Sequence, residues 1–296
     1  MTEIAGKTAV VTGGGSGIGA GLARELARQG ARVAVADIRL ANAEKVAAEI
    51  RAGGGEAIAV ACDVCDKASI RAMRDAVHAA FGPVTLVFAN AGATSFDPLI
   101  EMSDDDVDWI LTVNLMGVTH TTRAFLPDMI AAKDGHICAT ASMAGLLPGW
   151  IPVHAPYSAA KAGIIGLMMN LSLELFEHNI HTTSYCPGGV ASGMKNNNAA
   201  YRPARFGGPG EGAVHVSEDS DKVSSLAFFH PDAVAPMVLD AVRGNRKFAF
   251  DHPEQREFFR STYADVVEAC YDATEAWERE NGRPDANPHG AALAEG

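Results

Sequence analysis

Cysteine is scarce and unpaired. The chain has five in 296 residues, an odd number scattered from Cys62 to Cys270, which makes no disulfide framework in a protein this long. Cys62 and Cys65 form a single C-x-x-C, but no second pair or histidine cluster completes a zinc site. No uninterrupted apolar stretch reaches the ~18 residues of a membrane span, and no charged segment followed by a long apolar run opens the chain. A cytoplasmic location is expected by default. Positive charge is also short: 24 Lys and Arg against 36 Asp and Glu leave a net charge of −12, with no local basic patch to offset it. That balance opposes phosphate backbones and anionic lipid surfaces, so nucleic acid and membrane are set aside as partners and small molecules remain. Internal repeats are missing too.

What is present is a full complement of core material, 48% hydrophobic and 20% charged residues, enough for one α/β domain. Short β-branched runs alternate with longer helical patterns: "KTAVVT", "ARVAVAD", "EAIAVACDV", "VTLVFANAG", "GHICATAS" and "HTTSYCPGG" read as strands. Their nearly continuous apolar character fits strands covered by helices on both faces. A doubly wound, Rossmann-like parallel sheet is therefore expected, with ligands at the carboxyl ends of its strands. One catalytic domain is read over residues 1–280, interrupted by a long Asn-, Gly- and Pro-rich substrate loop at about 191–229. A helical segment over roughly Pro253 to Glu280 follows, and residues 281–296 read as a flexible tail.

Directly after the first strand stands "TGGGSGIG", Thr12 to Gly19, followed by the helical "AGLARELARQG". Glycines here permit a tight turn and close backbone approach, so that a pyrophosphate can rest on the free N–H groups at the helix N-terminus. The second strand ends at Asp37, twenty positions after Gly17, where a carboxylate can accept from an adenosine ribose and repel a 2′-phosphate. NAD is expected rather than NADP, although Arg39 stands two positions on.

In "APYSAAKAG", Tyr157 and Lys161 are four positions apart, so on a helix they share a face. An ammonium beside a phenol lowers its pKa and suits it to acid/base work. The same spacing also fits a packed tyrosine beside a solvated lysine.

Six short motifs occur in order over about Lys7 to Val190: Thr12–Gly19, "NAG" at Asn90–Gly92, Asn114 in "VNLMG", Ser142 in "ATASMAG", "YSAAK", and "PGG" at Pro187–Gly189. Together they resemble the short-chain dehydrogenase/reductase family. That resemblance implies Tyr157 as general acid/base, Lys161 as the group that lowers its pKa and holds the nicotinamide ribose, and Ser142 as the hydrogen-bonding partner of the substrate oxygen. It implies Asn114 as a fourth catalytic residue that anchors a water in a proton relay; read alone, Asn114 is a helix-interior residue that kinks its helix. The cofactor contacts implied are Gly13, Ser16, Gly17, Ile18, Gly19, Asp37, Ile38, Asp63, Val64, Asn90, Ala91, Gly92, Tyr157, Lys161, Pro187, Gly188, Val190 and Ser192. Asp63 also reads as a cap for the helix starting near Lys67. Hydride chemistry needs one tuned acid/base and one oxygen-orienting donor, and no metal.

Two departures from the family pattern stand out. Ser192 takes the place of the usual threonine after "PGG", and the connection from Ser142 to Tyr157 is slightly long and carries Trp150 and His154. Trp150, His154, Met194, Tyr201 and Phe206, with Phe228 and Phe229, are expected to line a roomy aromatic substrate pocket; His154 also reads as a plain loop histidine. "ADIR" and "AYRPARF" are similar to segments of the Cα-dehydrogenases that oxidise benzylic alcohols of lignin-derived aryl ethers. The reading is thus an NAD-dependent secondary-alcohol dehydrogenase or ketone reductase for bulky aryl-type substrates. Its alternatives are a biosynthetic reductase of acyl-thioester or sterol-like carbonyls and a catalytically silent NAD-binding regulator. The surplus apolar positions of "SAAKAGIIGLMMNLSLELF" predict a helix–helix contact in a homodimer or homotetramer.

Overall fold

Six strands occupy the apolar runs read from the sequence: β1 (Thr8–Thr12), β2 (Arg32–Asp37), β3 (Glu56–Ala61), β4 (Leu86–Ala89), β5 (Gly135–Thr140) and β6 (Ile180–Cys186). A seventh, β7 (Phe248–Phe250), is only three residues long, too short to carry a strand pattern in sequence. The computed structural model describes residues 1–94, 96–147, 149, 151–194, 201–209 and 228–283. Contacts divide the chain into two compact units, Met1–Pro253 and Glu254–Gly296, so the expected range 1–280 spans both. The described residues of the second unit are helical, with Arg256–Phe259 and Asp265–Asn281 joined by a π-helical stretch Arg260–Ala264.

In the first unit the strands form one sheet in the order β3-β2-β1-β4-β5-β6-β7, every pair parallel. This is the doubly wound α/β fold. β1 has β2 on one side and β4 on the other, so the winding reverses between them and a crevice opens at their carboxyl ends. Val10, Val11, Val33 and Val35 are fully buried because helices cover both faces. Each such side chain contributes roughly 1.5–3 kcal/mol through burial.

The helices that matter for the site are α1 (Gly17–Arg28), α2 (Leu40–Ala52), α3 (Lys67–Phe81), α4 (Asp104–Leu111), α5 (Gly117–Ala132), the one-turn α6 (Met143–Leu146) and α7 (Ala155–Glu174). Their N-termini differ in a telling way. Asp66 caps α3 by accepting from the Ala68 amide, and Ser103 and Asp106 form a reciprocal capping box on α4. At α1 the Ser16 side chain makes no capping bond and the first turn holds no acidic residue. Its N–H groups face the crevice without a side-chain acceptor of their own. Among the described residues, no helix is long and apolar enough to cross a membrane.

Candidate active site

The loop from β1 to α1 is pressed against its surroundings so closely that side chains are excluded. Gly13 has φ +63°, and a Cβ at Gly19 would lie 2.1 Å from the Gly13 carbonyl oxygen. Asn90 locks the loop to the sheet: its amide donates to the Thr12 carbonyl at 3.1 Å while its Oδ1 accepts from Thr140 at 2.9 Å. At the end of β2, Asp37 accepts from the amides of Gly15 at 3.0 Å and Arg39 at 2.9 Å. Burial raises its carboxyl and those two hydrogen bonds oppose the rise.

These elements border a cleft with about 880 Å³ of empty space, open to solvent. Of the cofactor contacts expected from sequence, Gly19, Tyr157, Pro187, Gly188 and Val190 do not line this cleft; the others do. The cleft fits a dinucleotide on the protein's own terms. An uncapped helix N-terminus accepts a diphosphate, and Asp37, held in place by two amides, offers a carboxylate to a ribose.

Of the four residues expected to be catalytic, Lys161 lines the cleft and Tyr157, Ser142 and Asn114 do not. Tyr157 sits in the first turn of α7 and is buried. Lys161, one turn later and 1% exposed, places Nζ 5.3 Å from the centre of the Tyr157 ring. The sequence pairing of these two therefore reflects a shared helix face, and the lysine is buried rather than solvated. Burial is the dominant influence on both groups. Burial pushes the Tyr157 phenol up to about 12, against a smaller lowering hydrogen bond from Ser142. Burial also draws Lys161 down to about 7. Its Nζ donates to the Thr140 carbonyl at 2.7 Å instead of to the phenol.

Ser142 is the N-cap of α6, where its Oγ accepts from the Ala144 amide at 3.0 Å. The same hydroxyl hydrogen-bonds the Tyr157 phenol, so the two side chains stand together. Asn114 lies in a π-helical stretch, Thr112–Met116, between α4 and α5. Such a stretch widens the helix and commonly marks a functional position. Its Nδ2 donates to the carbonyls of Ala93 and Ile110, both at 2.8 Å. Its Oδ1 is buried with no partner among the described residues. A Cβ placed on Gly92 would stand 2.7 Å from that oxygen and 3.5 Å from Lys161 Nζ, so both atoms border one spot.

The expected substrate residues part company. Met194 lines the cleft, with its Sδ 3.8 Å from the Tyr157 hydroxyl. His154 is the buried residue before α7, and its imidazole stacks at 4.4 Å on Tyr157 and 4.5 Å on Phe96. Its Nε2 meets the Thr94 hydroxyl at 2.7 Å, and burial pushes the ring down to about 4, with the Lys161 charge acting the same way. His154 is thus packed beside the acid/base candidate, not loose in a loop.

Tyr201 also lines the cleft, on its Asp37 side, whereas Phe206 does not line it. Tyr201 receives a hydrogen bond from Asn42 at 3.3 Å and has the Arg39 guanidinium 5.7 Å from its ring centre, beside Asp37. Phe206 packs under Arg205, whose guanidinium bonds Asp63 at 2.8 Å, while Arg202 pairs with Asp106. Two arginines of this segment find acidic partners after β3 and in α4. Asp63 is not a cap of α3, since Asp66 holds that place. Phe228 is exposed, Phe229 packs on His252, and Trp150 lies outside the described residues.

Sequence reading missed a buried cluster beyond the end of β7. Asp251 accepts from the Tyr185 hydroxyl at 2.5 Å and the Gly188 amide at 2.8 Å, and pairs with His252 at 2.6 Å. The only signal was an acid and a histidine together after "RKFAF".

The profile of a family described as short chain dehydrogenase matches residues 7–202. A C alpha-dehydrogenase of Sphingobium sp. (strain NBRC 103272 / SYK-6) is 31% identical over 276 residues, which are 91% of this chain and 88% of that protein. Among solved structures, a short chain dehydrogenase/reductase from Burkholderia phymatum in complex with NAD superposes with a TM-score of 0.81 at 31% identity, over 91% of this chain and 97% of the other. A metagenomic short-chain oxidoreductase in complex with NADP gives a TM-score of 0.60 at 39% identity, over 64% of this chain and 85% of the other.

Proposed function

We propose, from the premise that this chain belongs to the short-chain dehydrogenase family, that it interconverts a bulky aryl-type secondary alcohol and its ketone with NAD. The observation that carries the reading is the grouping of Tyr157, Ser142 and Asn114 around Lys161, which lines a cleft that also presents Asp37 and an uncapped helix N-terminus.

Bound NAD or NADH supplies the acceptor or donor of hydride. The chain's own residues handle the proton and the geometry. Ser142 donates its hydroxyl to the substrate oxygen and fixes the carbinol carbon in the cleft. Tyr157 takes the alcohol proton in oxidation and returns it in reduction. Lys161, protonated, stabilises the phenolate that forms. The bare Asn114 Oδ1 next to Lys161 asks for a donor, which an ordered water supplies, giving the lysine a polar route inward.

Asp37 favours NAD, since a carboxylate repels a 2′-phosphate. The aryl preference draws support from the similarity to a C alpha-dehydrogenase and from the rings beside Tyr157, His154 and Phe96, with the flexible Met194 facing them. Leu173 and Phe176, 72% and 76% exposed at the end of α7, suit a helix-to-helix contact between two copies of the chain. The direct test is a substrate screen with NAD. Oxidation of 1-aryl secondary alcohols is expected to exceed that of short aliphatic and sugar alcohols, and the reverse ranking would refute the substrate class.

A further inference from the structure

Both ends of the 190–229 loop are held by one buried pair, Asp251 and His252. On the outgoing side the Gly188 amide donates to Asp251 Oδ1, immediately before Val190 pairs with Phe229 in a parallel bridge. On the returning side Phe229 exchanges backbone hydrogen bonds of 3.0 Å with Gly189 and Ala191, and its ring lies 4.8 Å from that of His252. His252 Nδ1 is 2.6 Å from the same Asp251 oxygen. The carboxylate has no proton to give, so Nδ1–H, the Gly188 N–H and the Tyr185 hydroxyl all donate to it. Asp251 and His252 are 3% and 2% exposed. A charge so buried is kept in place by these donors, and it keeps them in place in turn.

What the outgoing strand does next gives the pair its meaning. The Pro187 carbonyl accepts from the Met143 amide, which ties the turn to the helix capped by Ser142. Ser192 then comes so near Gly17 that a Cβ there would touch it at 3.0 Å, and Met194 reaches the Tyr157 hydroxyl. The segment from Pro187 to Met194 thus touches the Ser142 cap, the glycine loop and the Tyr157 hydroxyl.

We propose that Asp251 is a positioning residue: its buried carboxylate fixes the Gly188 amide and, through it, the Pro187–Met194 segment, whose Ser192 and Met194 line the cleft against the nicotinamide end of the cofactor. Resting on the dinucleotide reading above, this assigns Asp251 a part in holding one half of NADH and none in holding the other. The test compares equilibrium binding of NADH with that of ADP-ribose, which lacks the nicotinamide, by fluorescence and calorimetry.

For Asp251→Ala the affinity for NADH is expected to fall by about tenfold or more while that for ADP-ribose stays within about twofold. Asp251→Asn keeps an acceptor for the Gly188 amide and presents an NH2 to the Tyr185 oxygen, so it is expected to restore NADH binding to within about threefold of the wild type. If the alanine variant fails to fold by circular dichroism, Asp251→Glu replaces it, displacing the carboxylate by one methylene, and the same selective loss is expected. Parallel losses of both ligands, or no loss of either, would overturn the assignment of Asp251. Wild-type protein that binds neither ligand would instead overturn the dinucleotide reading, and the assignment with it.

Discussion

Lys161 Nζ stands 5.3 Å from the centre of the Tyr157 ring but gives its hydrogen bond to the Thr140 carbonyl, 2.7 Å away. The two groups are therefore near without being bonded, and burial drives both toward their neutral forms, Tyr157 to about 12 and Lys161 to about 7. On the proposed mechanism the protonated lysine stabilises the phenolate that oxidation requires. Lys161→Ala is expected to move the alkaline rise of kcat/KM for oxidation upward by about one pH unit or more, and to weaken NADH binding. A pH profile identical to the wild type would show that the lysine's charge plays no part.

Asp37 governs the second prediction. With its carboxylate held by the Gly15 and Arg39 amides, kcat/KM is expected to favour NAD over NADP by well over tenfold, at about 1.4 kcal/mol per decade. Asp37→Ser is expected to narrow that ratio. The Arg39 guanidinium is the one cationic group beside it that the sequence singled out, and it lies over the Tyr201 ring. Equal use of both cofactors by the wild type would mean that Arg39, not Asp37, decides the choice.

Stability against acid depends on His136, buried in β5 between the Thr2 and Thr183 hydroxyls at 2.9 and 2.8 Å. Burial draws its pKa from 6.5 down to about 3, with the His181 charge acting the same way. The folded state thus binds fewer protons than the unfolded state between those values. The stability this group contributes is present above pH 6.5 and is lost as pH falls toward 3. His136→Gln is expected to be less stable at neutral pH, because it disturbs two buried hydroxyls. Its unfolding free energy is also expected to fall less steeply over that window, by up to about 1.4 kcal/mol per pH unit. Urea titrations of both proteins across the window measure the difference; equal slopes would place the titrating group elsewhere.

The fold, the glycine loop and the pairing of Tyr157 with Lys161 were legible because their determinants are local. The glycine loop must be glycine where its backbone touches itself, and a tyrosine and lysine one turn apart must share a face. The exact positions of Tyr201 and Phe206 were not legible, because aromatic content in a loop does not tell which part of a cleft it covers. Arg202 and Arg205 beside them reach Asp106 and Asp63, partners far away in sequence. Asp251 stayed hidden for the same reason, its contact with Gly188 spanning 63 positions. The rise in the Tyr157 pKa could not be read either, since it comes from burial and not from the neighbouring charge.

If Tyr157 is the acid/base for hydride exchange with a nicotinamide, its hydroxyl is required for turnover and dispensable for NADH binding. Steady-state NADH formation from a 1-aryl secondary alcohol is followed for wild type and Tyr157→Phe, with NADH affinity determined for both by fluorescence titration. Removing the hydroxyl leaves the buried ring, the His154 stack and the cleft in place. Turnover is expected to fall by roughly 10²–10⁴-fold, as for loss of a general acid/base, while NADH affinity stays near that of the wild type. A phenylalanine variant that keeps a tenth or more of the activity would contradict the account.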